Sequence, residues 1–255
     1  DSDAVFRAGG TDVGERTGEY SWRDTLVTAL DQHRFSLDTH VAQLAGSTPA
    51  RTEATLMLHD TDMPQPVPAR IFMPAAVRLG LSAECDIQAV RLGLDWLVAK
   101  PGQLVLRLAL PSLNQSKFLA RLAQMLRDRP AQATRTVFEI EAQGLMEHYA
   151  DVRALCEIAT DAGARVGLRG LSQDFGALLR LHQLPIAYLK LGGEFVGGMT
   201  QSPGGRQLAA STAETARTLG IEVYAEDVPD EKTRQLLQQL GIIAVDNVRA
   251  ATGTA

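Results

Sequence analysis

The stretch Arg165 to Gly193, RVGLRGLSQDFGALLRLHQLPIAYLKLGG, decides the fold. Val166, Gly167 and Leu168 form a short apolar run that ends in Arg169 and Gly170. Phe175, Leu178, Leu179 and Leu181 then recur at helical spacing. A second run, Ile186-Ala187-Tyr188-Leu189-Lys190-Leu191, is closed by Gly192 and Gly193. Strand, helix, strand is the crossover that a parallel pair requires, because no tight hairpin can join parallel strands. Each strand also carries a charged side chain towards its far end, Arg169 in the first and Lys190 in the second.

The same unit repeats outward in both directions. Upstream, strand-like runs fall at 104–109 and 136–141, followed by helical spacing over about 116–127 and 147–162. Downstream, a helix over about 205–219 leads to a strand at 222–226. Asp230 then caps a helix that Gly241 ends, and 242–248 is a last strand. Before these units lie alternating runs at 35–44 and 51–58, with helical spacing from Trp22 ahead of them. Three prolines exclude regular structure from Thr61 to Pro68, and helical stretches follow at about 74–80 and 84–99. Eight strands separated by helices in a chain of this length predict an α/β fold, a modified (β/α)8 TIM-like barrel. No helix separates the first two strands, so that pair is expected to be antiparallel. A doubly wound sheet would bring a glycine-rich phosphate turn, and no G-x-G-x-x-G or Walker sequence occurs.

Composition narrows the function. The 255 residues are 45% hydrophobic and 22% charged, which supports an ordinary core. A net charge of -5 without a Lys/Arg block argues against a nucleic-acid polymer and against direct membrane contact. Cys85 and Cys156 lack metal-type spacing and are expected to be reduced and buried. No run reaches the length of a membrane span, which leads to the expectation of a cytoplasmic domain from a longer protein. Residues 1–20 are rich in glycine and charge and read as a linker or the tail of a preceding domain, with the folded domain over 21–250.

In a barrel of this class the chemistry lies at the C-terminal ends of the strands. Glu53, Arg107, Glu139, Glu141, Arg169, Lys190, Glu226 and Asp246 lie at or near those ends. Taken singly, such residues are usually solvated loop positions; together, the repeated placement points to a polar cluster. Convergent acids repel one another and need counter-charges. Arg107, Arg169 and Lys190 balance Glu53, Glu139 and Glu226 three against three, leaving no net charge for a divalent cation to neutralise. An internally paired cluster and a remodelled ligand site both fit this count.

These residues resemble the EAL domains, the cyclic-di-GMP phosphodiesterase family. Glu53-Ala54-Thr55 stands where that family has Glu-Ala-Leu, and Phe72-Met73-Pro74-Ala75-Ala76 is similar to its Phe-Ile-Pro-x-Ala. Phe138-Glu139-Ile140 is similar to Leu-Glu-Ile, and Leu184 to Leu191 to Leu-Pro-x-Asp-x-Leu-Lys-Ile. Ala225-Glu226-Asp227-Val228 is similar to Ala-Glu-Gly-Val. Order and spacing are kept from about Trp22 to Asn247. The fold implied is the modified barrel already counted.

The resemblance also implies two divalent cations held by the name-motif Glu, an Asn, a further Glu and an Asp pair. Glu53 and Glu139 keep two of those positions, Arg107 replaces the Asn, and Arg169-Gly170 replace the Asp pair. Met57 stands where the family has an Arg that helps hold the dinucleotide phosphate, and Leu171 to Ala177 keeps little of its Phe-Gly-x-Gly loop. Two-metal hydrolysis needs both ions on the attacking and leaving oxygens. The implied expectation is therefore a degenerate EAL domain with no catalysis and no metal. It is most similar to receptors of the LapD type, with the FimX type second. Cyclic-di-GMP is the expected ligand, bound among Glu53, Arg107, Glu139, Arg169, Lys190 and Glu226. Asp3 to Ala8 also resembles the end of a GGDEF domain, which suggests a GGDEF-EAL parent, possible anchorage in the bacterial inner membrane and a role in biofilm, adhesion or pili. A protein partner in a signalling pathway and a homodimer complete the expectations. A nucleotide-independent scaffold and a residual phosphodiesterase stand as alternatives.

Overall fold

In a computed structural model, residues 19–44, 51–61, 63–115, 117–170, 177–199 and 202–249 are described. Eight strands close into a barrel: β1 (Phe35–Leu44), β2 (Arg51–Leu58), β4 (Gln103–Arg107), β5 (Thr136–Glu141), β6 (Arg165–Arg169), β7 (Ile186–Leu191), β8 (Glu222–Ala225) and β9 (Ile243–Arg249). Neighbours from β2 round to β9 are parallel. β1 closes the ring, antiparallel to both β2 and β9. The antiparallel start expected from the missing helix is present. The final strand sits one residue later than the sequence suggested, and β4 stops at Arg107 rather than at 109.

Three local expectations need correction. Val67–Pro68 is a two-residue strand, β3, paired antiparallel with β2 at Leu58 and Met57. Pro68 is tolerated because the strand lies at an edge, where no ladder partner needs its missing N–H. The following helix α2 (Ala69–Arg78) begins before Pro74 and contains it. The piece between β6 and β7 is a 3-10 helix over Ala177–Gln183. The sequence pattern also placed Phe175 in that piece; it lies, with most of the Leu171 to Ala177 loop, outside the described residues. Residues 1–18, most of the linker proposed over 1–20, lie outside as well, while Glu19 and Tyr20 already belong to a helix.

The outward faces of the strands pack under the helices. α3 (Ser82–Ala99) lays Ile87, Val90, Leu94 and Leu97 against β4. Gly93 makes that approach close, since a methyl there would stand 2.7 Å from Leu106 Cδ1. On α5 (Phe118–Asp128), Phe118, Leu122 and Leu126 recur every four residues and are all buried. α9 (Pro203–Thr218) starts with Ser202 Oγ accepting from Gly205 N, and buries Ala209, Ala213 and Ala216. A second apolar cluster joins α1 (Glu19–Asp31) and α2 to β2 and β3 through Leu26, Leu58, Val67 and Phe72.

The inward faces matter most for function. Val105, Val137, Tyr188, Tyr224, Ala42 and Val245 form a separate cluster inside the ring. Side chains alternate with a period of two along a strand. Two residues further along each of four parallel strands come Arg107, Glu139, Lys190 and Glu226, so the apolar interior delivers its charges to one end.

Candidate functional site

Six residues from six neighbouring segments meet at the C-terminal mouth. Lys190 Nζ donates to Glu53 Oε1 at 2.6 Å and stands 2.8 Å from Glu139 Oε1 and 4.0 Å from Glu226 Oε2. Arg107 bridges two strands, with Nη2 3.2 Å from Glu53 Oε2 and Nε 3.3 Å from Glu139 Oε2. Arg169 reaches three carboxylates: Glu139 at 3.3 Å, Glu226 at 3.0 Å and Glu141 at 2.5 Å. The ammonium thus sits where the three buried carboxylates converge, and the two guanidiniums cover them from the rim.

The structure changes the charge count. Glu141 joins through Arg169, so among the described residues four carboxylates face three cations. Asp246 does not join; it pairs with Arg234 of α10 (Glu231–Gln239) on the outside. Two participants were missed in the sequence. His40 of β1 brings Nε2 to 3.5 Å from Glu53 Oε2, and Tyr188 donates its hydroxyl to Glu139 Oε1 at 2.8 Å. Tyr188 could have been found from parity, since it precedes Lys190 by two residues. His40 gave no signal, because the strand that carries it is read only through its apolar positions.

Burial grades the cluster from dry to wet. The side chains of Glu139 and Lys190 are 0% and 3% exposed, while Arg169 is 23% and Arg107 42% exposed. Burial pushes the Glu53 carboxyl up, but His40, Lys190 and Arg107 outweigh it and hold that carboxyl far below the usual carboxylate range. Burial works against the charged form of Arg169, yet Glu141, Glu226 and Glu139 drive its pKa further up. Burial and then Glu139 raise the Tyr188 phenol well above its ordinary value, so it stays a neutral donor.

A second polar group supports the first from below. Arg51, at the start of β2, lies between the rings of Tyr188 and Tyr224, 4.7 and 4.6 Å from their centroids. It donates to the Tyr224 hydroxyl at 2.5 Å and to Glu222 at 3.2 Å. Gly167 makes room for this stack: a Cβ there would lie 2.3 Å from Tyr188 Cζ.

Burial pushes both Cys85 and Cys156 up to about 12, so neither buried thiol is a nucleophile near neutral pH. Among the described residues, no group of three or more His, Cys, Asp or Glu is placed to hold a metal ion. No helix among them is long and apolar enough to cross a membrane.

Known proteins share this fold. A family model described as the EAL domain matches residues 23–246. The cyclic di-GMP phosphodiesterase PdeF of Escherichia coli is 22% identical over 176 residues, covering 67% of this chain and 24% of PdeF. The cyclic di-GMP phosphodiesterase PdeB of Shewanella oneidensis is 26% identical over 231 residues, covering 87% of this chain and 26% of PdeB. The chain thus spans about a quarter of the length of these curated relatives. Among solved structures, the Vibrio cholerae LapD S helix-GGDEF-EAL protein bound to c-di-GMP superposes with a TM-score of 0.80 at 19% identity, over 89% of this chain and 56% of that one. The FimX EAL domain of Pseudomonas aeruginosa bound to c-di-GMP gives 0.79 at 17% identity, over 90% and 97%.

Proposed function

The chain belongs to the EAL domain family, and on that premise we propose that it is a catalytically inactive member that binds cyclic-di-GMP as a signal. The carrying observation is Arg107. Its guanidinium spans Glu53 and Glu139, the two carboxylates that the family resemblance marks as metal ligands, and remains 42% exposed. A divalent pair does not suit this donor set. Lys190, Arg107 and Arg169 already engage the convergent carboxylates, and a cation placed among them would meet three positive charges within a few ångströms. Hydrolysis by two metal ions has no footing in such a site.

Two features favour ligand capture at the mouth. Partly exposed guanidiniums offer planar, charge-assisted donors to a phosphate, and the rim positions of Arg107 and, less openly, Arg169 suit a ligand that arrives from solvent. Solved EAL domains of similar fold have cyclic-di-GMP bound, which supports the same ligand for this chain. The parent is proposed to be a GGDEF-EAL signalling protein acting through a protein partner.

The scaffold alternative draws on one observation as well. Among the described residues every mouth cation has a carboxylate partner, and four carboxylates face three cations, which disfavours entry of a further anion. The experiment that tests the inactive reading is an incubation with cyclic-di-GMP and Mg²⁺ or Mn²⁺, scored for the linear dinucleotide. No product above the uncatalysed background is expected, and turnover that vanishes in Glu53→Gln would overturn it.

A further inference from the structure

We propose that Asp86 is a positioning residue for Arg107: it holds the turn that leaves β4 and thereby keeps the Arg107 guanidinium over Glu53 and Glu139. The inference rests on the receptor reading of the mouth and adds to it the part that sets the anion-binding arm. Asp86 belongs to α3, outside the barrel, and is 1% exposed. Its Oδ2 accepts from Ala109 N at 2.9 Å. Ala109 is two residues beyond Arg107 and immediately precedes the short helix α4 (Leu110–Leu113).

A carboxyl this deeply buried is unfavourable unless its hydrogen bond returns something. The bond here fixes where the chain turns after β4. Leu108 N donates to Glu139 O at 2.9 Å on one side of the turn, and Asp86 takes the next N–H on the other. Consecutive amides are thus held from β5 and from α3, which fixes the backbone from which the Arg107 side chain sets out. Gln115 Nε2 adds a second tie to α3 by donating to Ser82 Oγ at 2.9 Å.

The surroundings of Asp86 contain no competing use. Glu84 and Cys85 are the titratable neighbours on its own helix, and α4 presents the buried Ser112 hydroxyl. No charged side chain from another element acts on it among the described residues. The network at the mouth does not include it either, so its effect on that site must travel through the turn.

Two variants cut the same link from opposite sides. Asp86→Ala removes the acceptor. Ala109→Pro removes the donor, at a residue whose φ of -77° already suits proline. Two readouts on the whole chain are needed: calorimetric affinity for cyclic-di-GMP, and the Arg107 Nε–Hε resonance of the ligand-free protein, assigned by Arg107→Lys. Both cuts are expected to weaken affinity about tenfold, the scale of one lost hydrogen bond, and to shift or broaden the Arg107 resonance. Asp86→Asn keeps an acceptor and should restore both. An unchanged Arg107 resonance in well-folded Asp86→Ala and Ala109→Pro would overturn the proposal. Failure of the unaltered chain to bind the dinucleotide would instead defeat the receptor reading, with the resonance still deciding the role of Asp86.

Discussion

Lys190 Nζ lies 2.6 Å from Glu53 Oε1, with both side chains almost wholly buried. The same ammonium stands 2.8 Å from Glu139, whose side chain is fully buried. Removing it would leave two carboxylates in a dry site with only the rim guanidiniums to oppose them. Lys190→Met is therefore expected to cost about 3–5 kcal/mol, measured by urea unfolding near pH 7. A loss below about 1 kcal/mol, the range of surface pairs, would show that the mouth is wetter than its geometry.

The two arginines should separate by exposure. Arg107 is 42% exposed, so its contribution is discounted by solvent and Arg107→Ala is expected to cost about 1 kcal/mol or less. Arg169 is less exposed and engages Glu139, Glu141 and Glu226, so Arg169→Ala should cost more. The same denaturant series ranks them, and an Arg107→Ala loss equal to or larger than that of Arg169→Ala would contradict the gradient.

Gly167 tests the support beneath the site. An added methyl would overlap the Tyr188 ring, whose hydroxyl orients Glu139 and whose face covers Arg51. Gly167→Ala is expected to destabilise by about 1–3 kcal/mol through overpacking and to perturb tyrosine near-ultraviolet dichroism. Unchanged stability and dichroism would mean that the ring has room to move.

Asp86 gives the pH dependence a definite sign. Burial pushes its carboxyl up to about 7, against the opposing effects of the Ser112 hydroxyl and the Ala109 N–H, whereas an unfolded aspartate titrates near about 3.9. A raised folded value lends stability that is fully present below the unfolded value and is lost as pH rises through the folded one. The difference in stability between the unaltered chain and Asp86→Asn should therefore fall by about 1.4 kcal/mol per pH unit between about 4 and 7, then level off. Two parallel stability profiles over that window would rule out a buried titrating carboxyl.

The barrel was legible because apolar runs and helical spacing are local signals, and several parallel strands carry a charge near their far end. The convergence of charges at the mouth was legible for the same reason: Arg107, Glu139, Lys190 and Glu226 each lie two residues beyond an interior position. What escaped was set by reach across the ring. Glu141 was seen as a strand-end charge, but its pairing depends on how far the Arg169 side chain extends from the next strand. His40 comes from β1, which runs antiparallel to both its neighbours in the barrel, so parity counted from a parallel neighbour says nothing. Pro68 in a strand and the 3-10 turn before β7 are local choices that tertiary pairing overrode.

A mouth that binds cyclic-di-GMP without hydrolysing it is tested most directly by titration calorimetry with that dinucleotide. Saturable heat is expected, unchanged by a chelator because no divalent ion is called on, and weakened in Arg107→Ala. Absence of heat at high micromolar ligand, in a chain that remains folded, would contradict it.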